Sequence, residues 1–383
     1  MSAFDFDTPT DRTGTHSIRW EKYAGRDVIP LWVADTDFQA PPAVIEALRR
    51  RMAHGVFGYT APPPELRELI VGRMARLYGW KVQPGWIVFL PGVVSALYMA
   101  ANRLTGPGDH LLSPAPVYYH LFRAAQHAPR ACTDVPMVLE GGRWVWDEKS
   151  LATSVRPETR MLMLCNPHNP GGTVFRRDEL EQLGEFARKH NLLIVSDEIH
   201  CDLVLDPDKT HCPIASLSPQ ISRRTITLMA PSKTFNTAGI GLAFAIVEDP
   251  VLRESFSFDL KKSVHDASLF AYEAAVAAYR DGGAWLAAQL DYLRSNRDLV
   301  EATVARLPGV ATAHLEATYL SWIDCSGLGV ADPHAHFLKH GLGLSPGADF
   351  GASQFVRLNF GTQKKVLVEA MKRFERAVLE APR

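Results

Sequence analysis

Lys233 stands in the run Pro231-Ser232-Lys233-Thr234-Phe235-Asn236, just after a short apolar stretch, Thr225-Ile226-Thr227-Leu228. A lysine at the mouth of a buried strand loses hydration, and burial disfavours the ammonium form. The neutral amine is a nucleophile that can form a Schiff base with an aldehyde. Taken alone, Lys233 reads as a surface lysine, the commonest setting for that residue. Four other groups change its standing. Asp197 follows the apolar run Leu192-Leu193-Ile194-Val195-Ser196. Asn169 lies between prolines in Asn166-Pro167-His168-Asn169-Pro170-Gly171-Gly172, after Met161-Leu162-Met163-Leu164-Cys165. Tyr118 and Tyr119 come after His110-Leu111-Leu112 and the turn Ser113-Pro114-Ala115-Pro116. Gly92-Val93-Val94-Ser95 follows Trp86-Ile87-Val88-Phe89-Leu90 and opens a helix, whose free N–H groups and dipole suit an anion.

Every one of these groups follows an apolar run of strand length. Helical patterns alternate with the runs, over Val94–Leu104 and Arg177–His190. Such alternation predicts an α/β fold with a mostly parallel sheet covered by helices on both faces. In open sheets of this kind, ligands bind outside the carboxyl ends of the strands. The anion nest, the aromatic, the amide, the carboxylate and the lysine therefore meet at one rim. A ligand that uses all five is pyridoxal 5′-phosphate. The lysine takes the aldehyde. The carboxylate keeps the pyridine nitrogen protonated, which makes the ring an electron sink. The aromatic stacks on the ring, the amide bonds its phenolic oxygen, and the helix start holds the phosphate.

Outside this block, helices are expected over Ala43–His54, Glu65–Tyr78, Ala271–Ala278, Trp285–Leu307 and Lys364–Leu379, with strands over Tyr319–Ile323 and Gln354–Leu358. The N-terminal stretch to about residue 40 is loop-like. A boundary in the long helix near residue 285 divides the chain into a large domain, 42–285, and a smaller α+β domain, 286–383, with the arm 1–41 packed against it. Formal net charge is −1, with 46% hydrophobic and 22% charged residues in 383, so neither nucleic acid nor a membrane surface is an expected partner. The five scattered cysteines contain no C-x-x-C pair and fit a reducing compartment. Fourteen histidines form no H-E-x-x-H or similar cluster, so no metal is expected. No apolar run is long enough to span a membrane and the N-terminus is polar, so the expected location is cytoplasmic.

Three motifs, Asn166–Gly172, Ser196-Asp197-Glu198-Ile199-His200 and Ser232–Asn236, appear in that order. In combination they resemble the fold-type I pyridoxal-phosphate enzymes, the class I/II aminotransferase superfamily, over essentially the whole chain. Asp11–Trp20, Leu31–Phe38, His54–Tyr59, Pro116–Tyr119 and Gly343–Gly347 are similar to the cystathionine β-lyase (C–S lyase) branch of the MalY/PatB type. That resemblance implies a transferase-type fold and an α,β-elimination giving a thiol, pyruvate and ammonia. It makes Lys233 the Schiff-base lysine and the base for the Cα proton. Asp197 pairs with the ring nitrogen and Asn169 bonds the ring oxygen. Tyr118 stacks on the ring, and Tyr119 lies near the reacting bonds. Gly92, Val93, Val94 and Ser232 hold the phosphate, and His200 lies at the cofactor. Arg357 clamps the substrate α-carboxylate, with Ala34 beside it. Tyr59 reaches the phosphate of a neighbouring subunit, which implies a homodimer.

Two positions depart from the aminotransferase pattern. His200 stands where many carry a tyrosine, a form the lyase branch shares, and Gly241 stands where many carry a phosphate-binding arginine. An aminotransferase is the alternative enzyme. A non-catalytic regulator on the same fold is a remote third, since the chain has no basic patch for nucleic acid.

Overall fold

The computed structural model describes residues 4–262, 264 and 266–382. The arm carries a two-residue strand, β1 (Ile29–Pro30). The main sheet then collects β2 (Ile87–Leu90), β3 (His110–Ala115), β4 (Ala131–Glu140), β5 (Arg143–Trp146), β6 (Thr159–Cys165), β7 (Leu193–Asp197), β8 (Thr225–Met229) and β9 (Ala243–Ile246). The C-terminal part adds β10 (Ala311–Thr312), β11 (Leu320–Asp324), β12 (Leu342–Gly343), β13 (Ser345–Pro346) and β14 (Phe355–Asn359).

The main sheet runs in the order β2-β9-β8-β7-β6-β3-β4-β5. Its centre, from β8 to β4, is parallel. Side chains of β6 alternate between two cores. Met161, Met163 and Cys165 pack with Ala96, Leu97 and Ala100 of the helix Val93–Leu104. Leu162 and Leu164 pack with Leu180, Leu183 and Ala187 of the helix Arg177–Lys189. A strand covered on both faces has no polar side to show, which is why it reads as an unbroken apolar run.

Two edges depart from the parallel pattern. Strand β9 lies antiparallel to both β8 and β2. It is short and alanine-rich, with few β-formers to announce it. Strands β4 and β5 form an antiparallel hairpin through Gly141 and Gly142, both at positive φ. Loss of patterning explains why the hairpin escapes sequence inspection, since β4 is largely exposed beyond its middle.

In the C-terminal part, β10-β11-β14-β13 form an antiparallel sheet. The arm joins it by strand pairing: β1 runs parallel to β12, with Ile29 opposite Leu342. The Asn359 N–H then donates to the Leu31 carbonyl (2.9 Å). The loop Trp32–Phe38 is thereby carried from the arm onto the rim of the main sheet.

Candidate active site

A cavity of about 350 Å³ lies where the main sheet, the arm loop and the C-terminal sheet meet. Lys233, Asp197, Asn169, Tyr118, Tyr119, His200, Ser232, Gly92, Val93, Val94, Ala34 and Arg357 all border it. Residues from both ends of the chain thus converge at the carboxyl ends of β6, β7 and β8. Tyr59 does not reach the cavity; it stands fully exposed in the loop after the helix Pro42–His54. A wider surface cleft of about 910 Å³ lies between the β4–β5 hairpin and the helix Arg177–Lys189. Its Arg143 is already paired with Glu179 (2.6 Å) and Glu316 (2.7 Å).

Lys233 follows β8 through a turn that removes its amine from bulk water. The Nζ donates to the Ala34 carbonyl at 2.6 Å. Burial pulls the amine down to about 8, helped by Arg357 and opposed by Asp35 and Asp197. At pH 7 about a tenth is therefore the nucleophilic free base, far more than for an exposed lysine. Asp197 ends β7, and burial pushes its carboxyl up to about 6, although the Ile199 N–H (3.1 Å) and Lys233 favour the anion. Desolvation is the dominant influence on both groups. A cation placed beside Asp197 would relieve it.

The Ala34 carbonyl is itself held in place. Every carbonyl from Trp32 to Thr36 accepts a side-chain donor. Trp32 O takes Ser345 Oγ (2.7 Å) and Arg357 Nη2 (3.0 Å). Asn359 Nδ2 bridges Val33 O (2.6 Å) and Asp35 O (2.7 Å). Ala34 O also accepts from Tyr319 OH (3.1 Å). Asn236 Nδ2 reaches Thr36 O (3.0 Å) and Phe38 O (2.7 Å), while its Oδ1 accepts the Thr36 N–H (3.1 Å). Asn236 has φ 52, a conformation asparagine tolerates better than most residues. It ties the lysine turn to the arm loop, a role its place in the Ser232–Asn236 motif does not reveal.

Arg357 on β14 is buried. Its Nη1 donates to Asn169 Oδ1 (2.9 Å), and the guanidinium lies 4.6 Å from the Phe350 ring centroid. Among the described residues its hydrogen-bond partners are neutral, and its Nε has none. Burial lowers its pKa from 12.5 to about 10. A buried cation with neutral partners and a spare donor is suited to receive a carboxylate.

The remaining walls fit a phosphorylated pyridine aldehyde. At the start of the helix Val93–Leu104, Ala96 N–H returns to Gly92 O (3.3 Å), which leaves the N–H groups of Val93, Val94 and Ser95 without an acceptor inside the helix. Ser232 lies on the same wall. Gly241 has φ 73, and a Cβ there would lie 3.3 Å from Pro91 O, so the backbone disfavours the arginine found in aminotransferases. His200 Nδ1 is buried without a partner, and burial pulls that imidazole down to about 3, so it is neutral. Tyr118 is held as a neutral phenol by burial, its ring 4.8 Å from that of Tyr119. Orphaned polar atoms on a cavity wall are what a bound polar ligand would satisfy. Among the described residues, no group of three or more His, Cys, Asp or Glu is arranged to hold a metal ion.

The model for class I and II aminotransferases matches residues 26–374. The chain belongs to that family. Cystathionine beta-lyase PatB of Bacillus subtilis is 38% identical, with 98% of this chain and 100% of that one covered. The crystal structure of OvoB superposes with a TM-score of 0.97 at 49% identity, covering 99% of this chain and 100% of OvoB. Cystalysin from Treponema denticola, solved with pyridoxal 5′-phosphate, gives a TM-score of 0.93 at 32% identity over 98% of this chain and 99% of that one. The family's fold and its dependence on pyridoxal phosphate hold for this chain. Other contributors to the cavity had no role assigned from the sequence: Lys22, His334, Asp349 and Phe350, and also Trp32 and Ser345, which fall within the segments Leu31–Phe38 and Gly343–Gly347. They come from separate stretches, and only packing brings them together.

Proposed function

We propose that this protein is a pyridoxal-phosphate-dependent carbon–sulfur β-lyase. It takes an L-amino acid bearing a sulfur leaving group on Cβ, of the cystathionine or cysteine kind. With one water, each turnover yields a thiol, pyruvate and ammonia. The observation that carries this reading is the pairing, in one cavity, of a buried amine lowered to about 8 with a buried guanidinium that has no ion-pair partner among the described residues. Relatives named as C–S lyases and cystathionine β-lyases support the choice of reaction.

Pyridoxal 5′-phosphate, when bound, supplies the electron sink that makes cleavage at Cα and then at Cβ accessible. The residues do the rest. Lys233 carries the cofactor and, once released, takes the Cα proton as a neutral amine. Asp197 holds a proton on the pyridine nitrogen through its buried charge. Asn169 bonds the ring oxygen, Tyr118 covers the ring face, and His200 lies at the ring as an uncharged neighbour. The N–H groups of Val93 and Val94, the Gly92 turn and Ser232 hold the phosphate. Arg357 takes the α-carboxylate, with Ala34 beside it, and so fixes Cα near Lys233. Tyr119 would hand a proton to the leaving thiolate; the Arg123 guanidinium lies 4.4 Å from its ring centroid.

The same proposal includes a homodimer in which Tyr59 reaches the neighbouring phosphate. Met52, Val56, Phe57 and Tyr59 form a run of exposed apolar side chains along one segment, which water does not favour. Residues 42–285 would act as the cofactor-holding domain, and 1–41 with 286–383 as the substrate-clamping one. A cytoplasmic location suits five free cysteines. No helix among the described residues is long and apolar enough to cross a membrane.

The deciding assay supplies L-cystathionine without any 2-oxo acid and measures pyruvate. Pyruvate formed under those conditions supports the lyase. Amino transfer that needs an added 2-oxo acid, with no pyruvate otherwise, would establish the aminotransferase instead.

A further inference from the structure

The loop Trp32–Phe38 has two sides. One faces the cofactor cavity, where the Ala34 carbonyl holds the Lys233 amine. The other carries two carboxylates, Asp35 and Asp37, beside a smaller cavity of about 220 Å³ that Arg12, Thr36 and Asn236 also border. Burial is the strongest influence on the Lys233 amine. Next comes Asp35, which favours the ammonium, ahead of Arg357, which opposes it, and Asp197. A carboxylate on the far side of the loop thus bears on the reactive amine more than Asp197 does.

Two arginines of the arm hold this outer side. Arg12 spans both carboxylates: its Nη2 donates to Asp35 Oδ2 at 2.7 Å and its Nη1 to Asp37 Oδ1 at 2.9 Å. The Nη1 also reaches the Thr36 carbonyl (3.3 Å). Arg19, on the helical turn Ile18–Glu21, is buried, and its Nε donates to the Pro30 carbonyl (2.7 Å) and its Nη1 to the Asp35 carbonyl (2.9 Å). Ion pairs join Arg19 to the Asp35 carboxylate (3.4 Å) and to Asp37 (3.1 Å). Trp20 Nε1 donates to Asp37 as well (3.1 Å). Burial works against the Asp37 charge, yet Arg19, Trp20, Thr362 and Arg12 hold its carboxyl below its ordinary value. Asp37 is the fixed anchor of this clasp. Asp35 is its looser end, with 20% of the side chain exposed against 3% for Asp37. A planar guanidinium can meet two carboxylates at once, which a single ammonium does less well.

We propose that Arg12 is a positioning residue for Lys233, acting through Asp35. It holds that carboxylate on the outer side of the loop and offsets its field, which leaves the Lys233 amine freer to lose its proton. Seating of the arm thereby sets the charge of a group some 200 positions away in the chain. The inference rests on Lys233 being the amine that carries the cofactor, and not on which reaction follows. Other titratable or charged groups that act on Lys233 are Asp197 on β7, His200 after it and Arg357 on β14. Those that face Asp35 are Arg19 and Tyr319, and Asp37 shares Arg12 with it. All of these stay in place in the test.

The test follows labelling of Lys233 by an amine-reactive reagent against pH, in the full chain freed of cofactor and mapped by mass spectrometry. Arg12→Met should raise the midpoint by about half a unit to one unit, the scale of one neighbouring charge partly screened by water. Asp35→Asn alone should lower it. With Asp35→Asn in place, adding Arg12→Met should move the midpoint by no more than roughly half as much as it does alone, because the charge it acts through is gone. A loop that merely loosened and let water in would raise the midpoint equally in both backgrounds. That result, or no rise with Arg12→Met, or no fall with Asp35→Asn, would overturn the proposal. In the holoenzyme, the pH at which the bound cofactor changes its visible absorbance should rank the three variants in the same order, and a reversed order would overturn it too. A Lys233→Ala holoenzyme with unchanged absorbance would instead overturn the role given to Lys233 itself.

Discussion

Replacing Arg357 by methionine separates a binding role from a structural one. The guanidinium is buried, and its pKa falls from 12.5 to about 10. At about 1.4 kcal/mol per tenfold change, holding that charge costs the free protein roughly 3 kcal/mol. Methionine has similar bulk and removes the cost. The change also removes the hydrogen bonds to Asn169, Trp32 and Ser345, at about 1 kcal/mol each. The two effects nearly cancel, so the melting temperature of the cofactor-free protein should move by no more than a few degrees. Catalysis should respond very differently. A bidentate charge pair with a substrate carboxylate in a desolvated pocket contributes about 3–4 kcal/mol, so kcat/KM for pyruvate release should fall by roughly 10²- to 10³-fold. A coupled lactate dehydrogenase assay and a thermal melt on the same preparation measure both quantities. A fall of less than threefold in kcat/KM would refute the clamp. A large loss of stability with a proportionate loss of activity would show Arg357 to be a packing residue.

Asp197→Asn should stabilise the cofactor-free protein at pH 7 and abolish turnover. The folded carboxyl is raised from 3.8 to about 6, so its protonated form stabilises the fold below about pH 4 and that benefit is lost as pH rises through 6. The gain from the substitution, up to roughly 3 kcal/mol, should therefore vanish in melts at pH 4. For Lys233 the direction is opposite. Its folded amine lies at about 8 against 10.5, so the unfolded chain binds more protons between those values and stability should rise with pH across that window. In the cofactor-free protein, labelling of Lys233 by an amine-reactive reagent, mapped by mass spectrometry, should rise through about pH 8 while other lysines lag; labelling that tracks the bulk lysines would contradict a lowered amine. Asn236→Ala should cost about 4–5 kcal/mol in denaturant unfolding, since three hydrogen bonds are lost and alanine must adopt φ 52.

The central strands were legible because burial on both faces leaves no polar position. Met161–Cys165, Leu192–Ser196 and Thr225–Leu228 each read as one apolar run, and the structure places each within a residue or two of those bounds. Strand β9 and the β4–β5 hairpin were not legible, because alanine and exposed alternation carry little local signal. Asp197, Asn169 and Lys233 could be placed together from sequence alone, since chain direction in a parallel sheet delivers strand ends to one rim. Their chemistry belongs to local motifs.

The tertiary structure decided what those motifs face. That Lys233 donates to Ala34, nearly 200 positions away in sequence, follows from pairing of the arm with β12 and β14. That Arg357 Nε has no partner among the described residues, and that Lys22, His334 and Asp349 border the same cavity, are results of packing distant segments, which no spacing in the chain encodes. Sequence determines which groups can react. Burial sets their charge, and burial is a property of the whole fold.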